Sequence, residues 1–286
     1  MRGGVSFLPF RLVERKTLTS PGAECPVVLL SFALPPLPDG SPATLGLSQP
    51  TTHVKIRVPG SWFRARTFSI VSPADLPGVF SVAAKVHSDG RLTPWLASIP
   101  LGTAVSVTHT LTKRLASPLD NAPGHRLVLV SFGIGIAELV ETARRAVHGG
   151  QQVAVVAAFR TSADVVFLRE LCNVSLEAGH YGASLTLHIL LSREEPSEAL
   201  RACVASTRVV SGFELRRGRV DRASLERLLT HASEECRGGP SAGNDWAHAA
   251  ALAVGSKAQA REAYALLEGM GVTRKLLGRP IVWGCW

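Results

Sequence analysis

The spacing of hydrophobic and polar positions changes near residue 120. Before it, short runs rich in Val, Ile, Thr and Phe are broken by Pro and Gly clusters. This pattern predicts strands at 7–15, 26–33, 53–58, 66–72, 79–86 and 104–109. Six short strands at such spacing predict a small antiparallel β-barrel. Residues 34–51 form a Pro/Gly/Ser-rich loop too long and polar for a hairpin, and 116–125 read as a linker. Past the linker, apolar runs near 127–131, 153–159, 184–191, 207–210 and 249–255 alternate with helical periodicity near 136–148, 163–178, 221–231 and 257–269. That alternation predicts a doubly wound α/β domain, a parallel sheet with helices on both faces. The chain is thus expected to form two domains, 1–120 and 121–286. Asp221 and Ser256 are placed as helix N-caps, and Gly269 and Gly271 as a helix stop. Residues 232–247 read as a flexible surface insertion.

Candidate chemistry concentrates at 127–170. The apolar strand Leu127-Val128-Leu129-Val130 runs into Ser131-Phe132-Gly133-Ile134-Gly135-Ile136-Ala137, followed by an amphipathic helix. Strand, glycine turn and helix in this order offer free backbone N–H groups and a helix dipole to an anion such as a nucleotide pyrophosphate. Gly133 and Gly135 permit a tight turn and close approach of backbone to phosphate. A lone G-x-G also occurs in ordinary loops, so the motif carries weight only with company elsewhere.

Composition narrows the classes. Hydrophobic residues make up 46% and charged residues 19% of the 286 positions, as in a globular chain able to bury a core in each of two domains. No uninterrupted apolar run is long enough for a membrane-spanning helix. Cys25, Cys172, Cys203, Cys236 and Cys285 are scattered, with neither metal spacing nor a disulfide framework. They suggest a reducing compartment, mitochondrial or cytoplasmic. The nine histidines show no metal-binding spacing, so no metal ligand is assigned. The formal charge of +9 suits an acidic partner such as an electron-carrier protein. No basic run interleaved with aromatics is present, which argues against nucleic acid.

Several ordered motifs resemble the ferredoxin–NADP reductase superfamily. Arg66-Thr67-Phe68-Ser69 resembles its flavin signature R-x-[YF]-[ST], and Gly90-Arg91-Leu92-Thr93-Pro94-Trp95-Leu96 its G-x-x-[ST]-x-x-L element. Phe132-Gly133-Ile134-Gly135-Ile136-Ala137-Glu138 resembles its G-G-x-G-I-[AT]-P turn, with Phe132 and Glu138 replacing a glycine and a proline. Arg160-Thr161-Ser162-Ala163-Asp164 matches its R-[TS]-x-x-D strand exit. Ala253-Val254-Gly255-Ser256 stands where relatives carry C-G-P, and Thr108 to Thr112 where many carry G-P-x-G. The likeness extends to small oxidoreductase NAD-binding domain-containing proteins.

The resemblance implies FAD on the barrel and NAD(P)H on the α/β domain, with hydride passing to flavin and electrons onward to an unidentified acceptor. It implies flavin contacts at Arg66, Thr67, Phe68, Ser69, Gly90, Leu92 and Thr93. Phe68 would stack on the ring, Arg66 and Thr93 would hold the pyrophosphate, and Ser69 would lie near the reacting nitrogen. It implies nucleotide contacts at Gly133, Ile134, Gly135, Ile136, Arg160, Ser192, Arg193, Gly255 and Ser256. Val254 would form an apolar wall beside the nicotinamide. Ser192-Arg193 suits a 2′-phosphate while Glu194-Glu195 opposes one, leaving NADH and NADPH both open. Trp283 or Trp286 could cover the flavin or simply pack as a tail. The departures at Phe132, Glu138, Val254 and Ser256 support a rival, a non-catalytic relative that binds nucleotide or a partner.

Overall fold

The computed structural model describes residues 7–45, 52–58, 65–73, 75–108, 111–112, 125–206, 212–235, 246, 249–272, 274–275 and 281–282. Two compact units are present, Met1–Lys113 and Arg114–Trp286. The expected linker lies outside the described residues except for His125.

The first unit contains β1 (Phe7–Thr17), β2 (Val27–Ala33), β3 (Thr52–Arg57), β4 (Ala65–Ser69), β5 (Val79–Lys85), α1 (Leu92–Ser98), β6 (Ala104–Thr108) and β7 (Leu111–Thr112). The antiparallel order is β4-β3-β6-β1-β2-β5, with β7 added beside β3. Just past β4, Ile70 bridges Val82 of β5, and the Val71 N–H donates to the Ser81 carbonyl at 2.9 Å. These bonds bring the two ends of the path together, so the sheet closes into the expected barrel and its outer strands are not left as open edges. Alternate residues point inward: Leu12, Leu30, Phe32, Ile56, Phe80, Val82, Val105 and Val107 form the core. Phe32 stacks on Phe80 with ring centroids 5.4 Å apart, and Phe10 meets Phe80 edge-on at 5.5 Å. Leu92 and Leu96 of α1 join this core, so the short helix is held by burial rather than by its own propensity.

The second unit contains β8 (Arg126–Phe132), α2 (Ile136–His148), β9 (Gln152–Phe159), α3 (Leu168–Ala178), β10 (Ser184–Leu191), α4 (Glu198–Ser206), β11 (Phe213–Arg217), α5 (Arg222–Glu235), β12 (Ala250–Gly255), α6 (Lys257–Glu268), β13 (Arg274–Lys275) and β14 (Ile281–Val282). All pairings are parallel, in the order β11-β10-β9-β8-β12-β13, with β14 also on β12. β8, β9, β10 and β12 are buried almost throughout, as strands covered on both faces must be. One face packs Val128, Val130, Ala154, Val156 and Leu190 against Leu225, Leu228 and Leu229 of α5 and Ala260, Ala263 and Leu267 of α6. α2 and α3 pack together and against β8, β9 and β10.

Several expectations are corrected. A strand at Phe213–Arg217 was not expected, and the strand expected at 207–210 lies outside the described residues. The helix expected from 163 begins at Leu168, because Ser162–Asp164 is a single 3-10 turn and Phe167 adopts a left-handed φ of 61°. The short helices α1 and α4 were not expected. The expected surface insertion opens with the last turn of α5, and Trp246 is buried, its indole N–H donating to Ser233 Oγ at 3.0 Å. That contact anchors the far end of the segment in the core.

Candidate functional site

The strand order places β8 between β9 and β12, although β12 comes last in the chain. Chain direction across the sheet reverses there, so α2 and α6 leave the ends of β8 and β12 toward opposite faces. Such a switch point leaves a crevice outside the carboxyl ends of the two strands, where ligands of open parallel sheets bind. Ser131, Phe132, Gly133, Gly135, Val254, Gly255 and Ser256 all gather at these ends.

Close contacts explain the glycines. A Cβ on Gly135 would lie 2.7 Å from the Val254 carbonyl oxygen, so only glycine lets the turn rest on β12. Gly133 has a φ of +55° and open space where a side chain would be. A Cβ on Gly255 would lie 2.8 Å from the Phe132 ring. Phe132 therefore fills the room above Gly255. Val254 is wholly buried with Cγ1 against Gly135, so the exposed apolar wall expected of it is not presented. Ser131, paired with Val254 across the strands, is wholly buried, and its hydroxyl has no hydrogen-bond partner among the described residues. A polar residue ending a buried apolar strand was the signal that could have singled it out.

The two helix starts at the crevice differ. α2 follows the turn Gly133–Gly135 with no side-chain cap among the described residues, and the Ile136 N–H that opens it donates to the Gly133 carbonyl within that turn. Glu138, 3% exposed in its first turn, puts a carboxylate at the positive end of the helix dipole. α6 is closed by its own residues: Ser256 Oγ accepts from the Gln259 N–H at 3.3 Å, and Gln259 Oε1 accepts from the Ser256 N–H at 3.1 Å. The expected N-cap is present, and it is this capping that occupies the Ser256 hydroxyl assigned to cofactor.

The exits of β9 and β10 are tied together. Ser192 N–H donates to the Phe159 carbonyl at 2.9 Å and Arg193 N–H to the Arg160 carbonyl at 3.0 Å. Arg160 Nη2 lies 3.4 Å from Asp164 Oδ1, and Thr161 Oγ1 donates to Asp164 Oδ2 at 3.0 Å. Ser162 N–H donates to Glu194 Oε1 at 2.7 Å. Glu194 thus fixes the R-T-S-A-D turn from the neighbouring strand, a role its spacing did not reveal.

In the barrel, Arg66 and Phe68 lie on one face of β4, opposite Ile56 and Val54 of β3. Arg66 is exposed at the strand's start, whereas Phe68 is 5% exposed within the core. The stacking role expected for Phe68 is corrected: inward alternation gives its ring to the core. Thr67 is half-buried, and Ser69 is buried beside His53. Gly90 makes a tight turn, its N–H donating to the His87 carbonyl at 2.9 Å; a Cβ there would meet that carbonyl at 3.0 Å and Thr93 Oγ1 at 3.3 Å. Leu92 belongs to the core, and α1 begins without a side-chain cap among the described residues. The exposed Arg66 guanidinium on β4 is suited to a pyrophosphate. His109, Trp283 and Trp286 lie outside the described residues.

A second polar cluster, away from the strand ends, was missed. His188 on β10 is wholly buried, with Nε2 3.0 Å from Nδ1 of His231 on α5 and Nδ1 3.1 Å from Glu214 Oε2 on β11. Burial, then His231 and the charges of Arg216 and Arg227, pushes His188 down to about 3, so its imidazole is neutral. The three residues lie far apart in sequence and carry no local spacing signal.

No protein-family model matches the chain. It is 31% identical over 145 residues to the reductase subunit of an aromatic O-demethylase from Amycolatopsis, a match covering 46% of this chain and 42% of that protein. Among solved structures it superimposes on flavohemoglobin from Malassezia yamatoensis with a TM-score of 0.67 and 16% identity, covering 98% of this chain and 61% of that one. It also superimposes on the cytochrome b5 reductase domain of Ulva prolifera nitrate reductase, with a TM-score of 0.63 and 18% identity over 94% and 97% of the two chains. The chain therefore spans less than half of the curated relative. Among the described residues no helix is long and apolar enough to cross a membrane. An antiparallel barrel followed by a doubly wound parallel sheet is thus the fold this chain shares with the flavohemoglobin and the cytochrome b5 reductase domain.

Proposed function

We propose that this chain is an FAD-dependent oxidoreductase that accepts hydride from NAD(P)H and delivers electrons to a separate acceptor protein. The observation that carries the reading is the switch point at β8 and β12, where an uncapped helix start and an open Gly133 stand at the carboxyl ends of the two strands. Backbone N–H groups where the Gly133–Gly135 turn meets α2 would hold a nucleotide pyrophosphate. On the barrel, Arg66 would hold the flavin pyrophosphate, with Thr93 adding a hydroxyl. Ser69 is the candidate for positioning beside the flavin's reacting edge. Bound FAD would supply the two-electron to one-electron exchange, which needs no acid–base pair from the protein.

Glu194, locked onto Ser162 at the β9 exit, places a carboxylate where the Arg160 and Arg193 backbones meet. A carboxylate accepts a ribose hydroxyl and repels a 2′-phosphate, so NADH is the favoured donor. Glu194→Gln should then narrow the preference for NADH over NADPH, read from the ratio of their kcat/KM values. The net charge of +9 suits an acidic acceptor surface, and the relative's description as a reductase subunit supports a protein acceptor. Electron transfer that weakens steeply as salt rises would support this; salt-independent rates would contradict it.

A second reading, the non-catalytic relative, is favoured by Phe132 over Gly255 and by the self-capped Ser256. Reconstitution with FAD separates the two. Bound flavin with the spectrum of a flavoprotein supports the enzyme, and a protein that takes up nucleotide but no flavin supports the rival.

A further inference from the structure

We propose that His188, His231 and Glu214 form a binding site for a zinc-like divalent cation that ties β10, α5 and β11 together. One ligand atom from each residue lies within 4.8 Å of the other two. The imidazole atoms His188 Nε2 and His231 Nδ1 are 3.0 Å apart. Ligands held at about 2.1 Å around a tetrahedral ion are spaced at roughly 3.3 Å, so the pair needs only a small adjustment. Two imidazoles and one carboxylate, with a fourth position left to water, are a recurrent zinc donor set.

The polar bookkeeping of the cluster depends on which nitrogen of His188 carries its proton. A neutral imidazole carries one N–H. When His188 directs it toward His231, its bare Nδ1 faces Glu214 Oε2 at 3.1 Å, and two lone pairs oppose each other in a buried place. Both of these atoms lack an aligned hydrogen-bond partner among the described residues. A cation bound at Nε2 removes that conflict by keeping the His188 proton on Nδ1, facing Glu214. The competing arrangement places the proton on His188 Nδ1, has His231 donate, and closes the cluster without metal.

The surrounding charges set selectivity. Arg216 Nε at 3.1 Å and Arg227 Nη1 at 3.4 Å both engage Glu214 Oε1, fixing the carboxylate and leaving Oε2. Two guanidinium groups weaken a site that relies on carboxylate charge, which excludes calcium and magnesium, whereas imidazole donors retain zinc, cobalt or nickel. The cluster lies on the sheet face beneath α5 rather than at the strand ends, so the ion's role is structural.

The test uses the full chain, stripped with chelator, dialysed against zinc and assayed for metal per chain. The proposal expects one retained zinc, a rise in Tm with zinc but not magnesium, and affinity lowered at least about tenfold in His231→Gln and Glu214→Gln. His180→Gln, at an exposed histidine, should bind as the parent does. X-ray absorption at the zinc edge of the parent protein, which needs no variant to fold, should show two histidine nitrogens and no sulfur. No retained zinc, equal retention in His231→Gln and Glu214→Gln, or sulfur ligation would overturn the site.

Discussion

The helices of this protein start in two ways. α4, α5 and α6 are closed by their own side chains: Ser197 Oγ accepts from Leu200 N–H at 3.2 Å, Asp221 Oδ1 from Ser224 N–H at 2.7 Å, and Ser256 Oγ from Gln259 N–H at 3.3 Å. α1, α2 and α3 begin with no side-chain cap among the described residues. The three uncapped starts lie at or just after the three segments whose sequences resemble cofactor motifs: Gly90–Thr93, Gly133–Gly135 and Arg160–Asp164. A helix start without a cap leaves N–H groups that water or a ligand must satisfy. The contrast separates helices closed by their own residues from helices whose starts carry no side-chain cap among the described residues, and Ser256 belongs to the first group.

The largest expected effect tests why the α2 start is open. Gly135→Ala drives a methyl against the Val254 carbonyl, should cost about 3 kcal/mol in denaturant unfolding, and should abolish nucleotide binding. Retained stability would mean that the turn has room it does not show. In the barrel, Arg66→Ala should lower flavin affinity by at least about tenfold, measured from flavin released on dilution, since a charged hydrogen bond is lost. Unchanged flavin content would remove Arg66 from the site. Phe132→Ala should cost about 1.5 kcal/mol in stability while clearing the space above Gly255, so nicotinamide nucleotide should bind more tightly by titration. Weaker binding would make Phe132 a platform for the ligand instead. The smallest effect belongs to the closed helix. Ser256→Ala should cost about 1 kcal/mol through the lost cap and leave nucleotide affinity within about twofold. A larger loss of affinity would return Ser256 to the binding group.

Much of this was legible in the sequence because the controlling forces are local. Alternation at 79–86 and 104–109 announced β5 and β6, and the apolar runs 153–159 and 184–191 announced strands covered on both faces. Asp221 and Ser256 announced helix starts because a short polar side chain before an amphipathic stretch has a local partner to cap. What failed depended on the rest of the fold. α1 exists because Leu92 and Leu96 fill the barrel core, which no window around residue 92 could indicate. Phe68 was assigned to a ligand from a motif, whereas its place opposite Val54 on the inward face decides its burial. Trp246 sits among polar and glycine-rich positions, yet Ser233 and the core hold it. His188, Glu214 and His231 meet only because β10, β11 and α5 are neighbours in space.

The central claim is tested most directly by the visible absorption spectrum of the FAD-loaded protein during anaerobic addition of NADH and, separately, NADPH. The account predicts flavin bands that bleach with either donor and at lower concentration with NADH. Flavin bands that persist with both donors, or a protein that takes up no flavin, would contradict it and leave the fold in the service of binding alone.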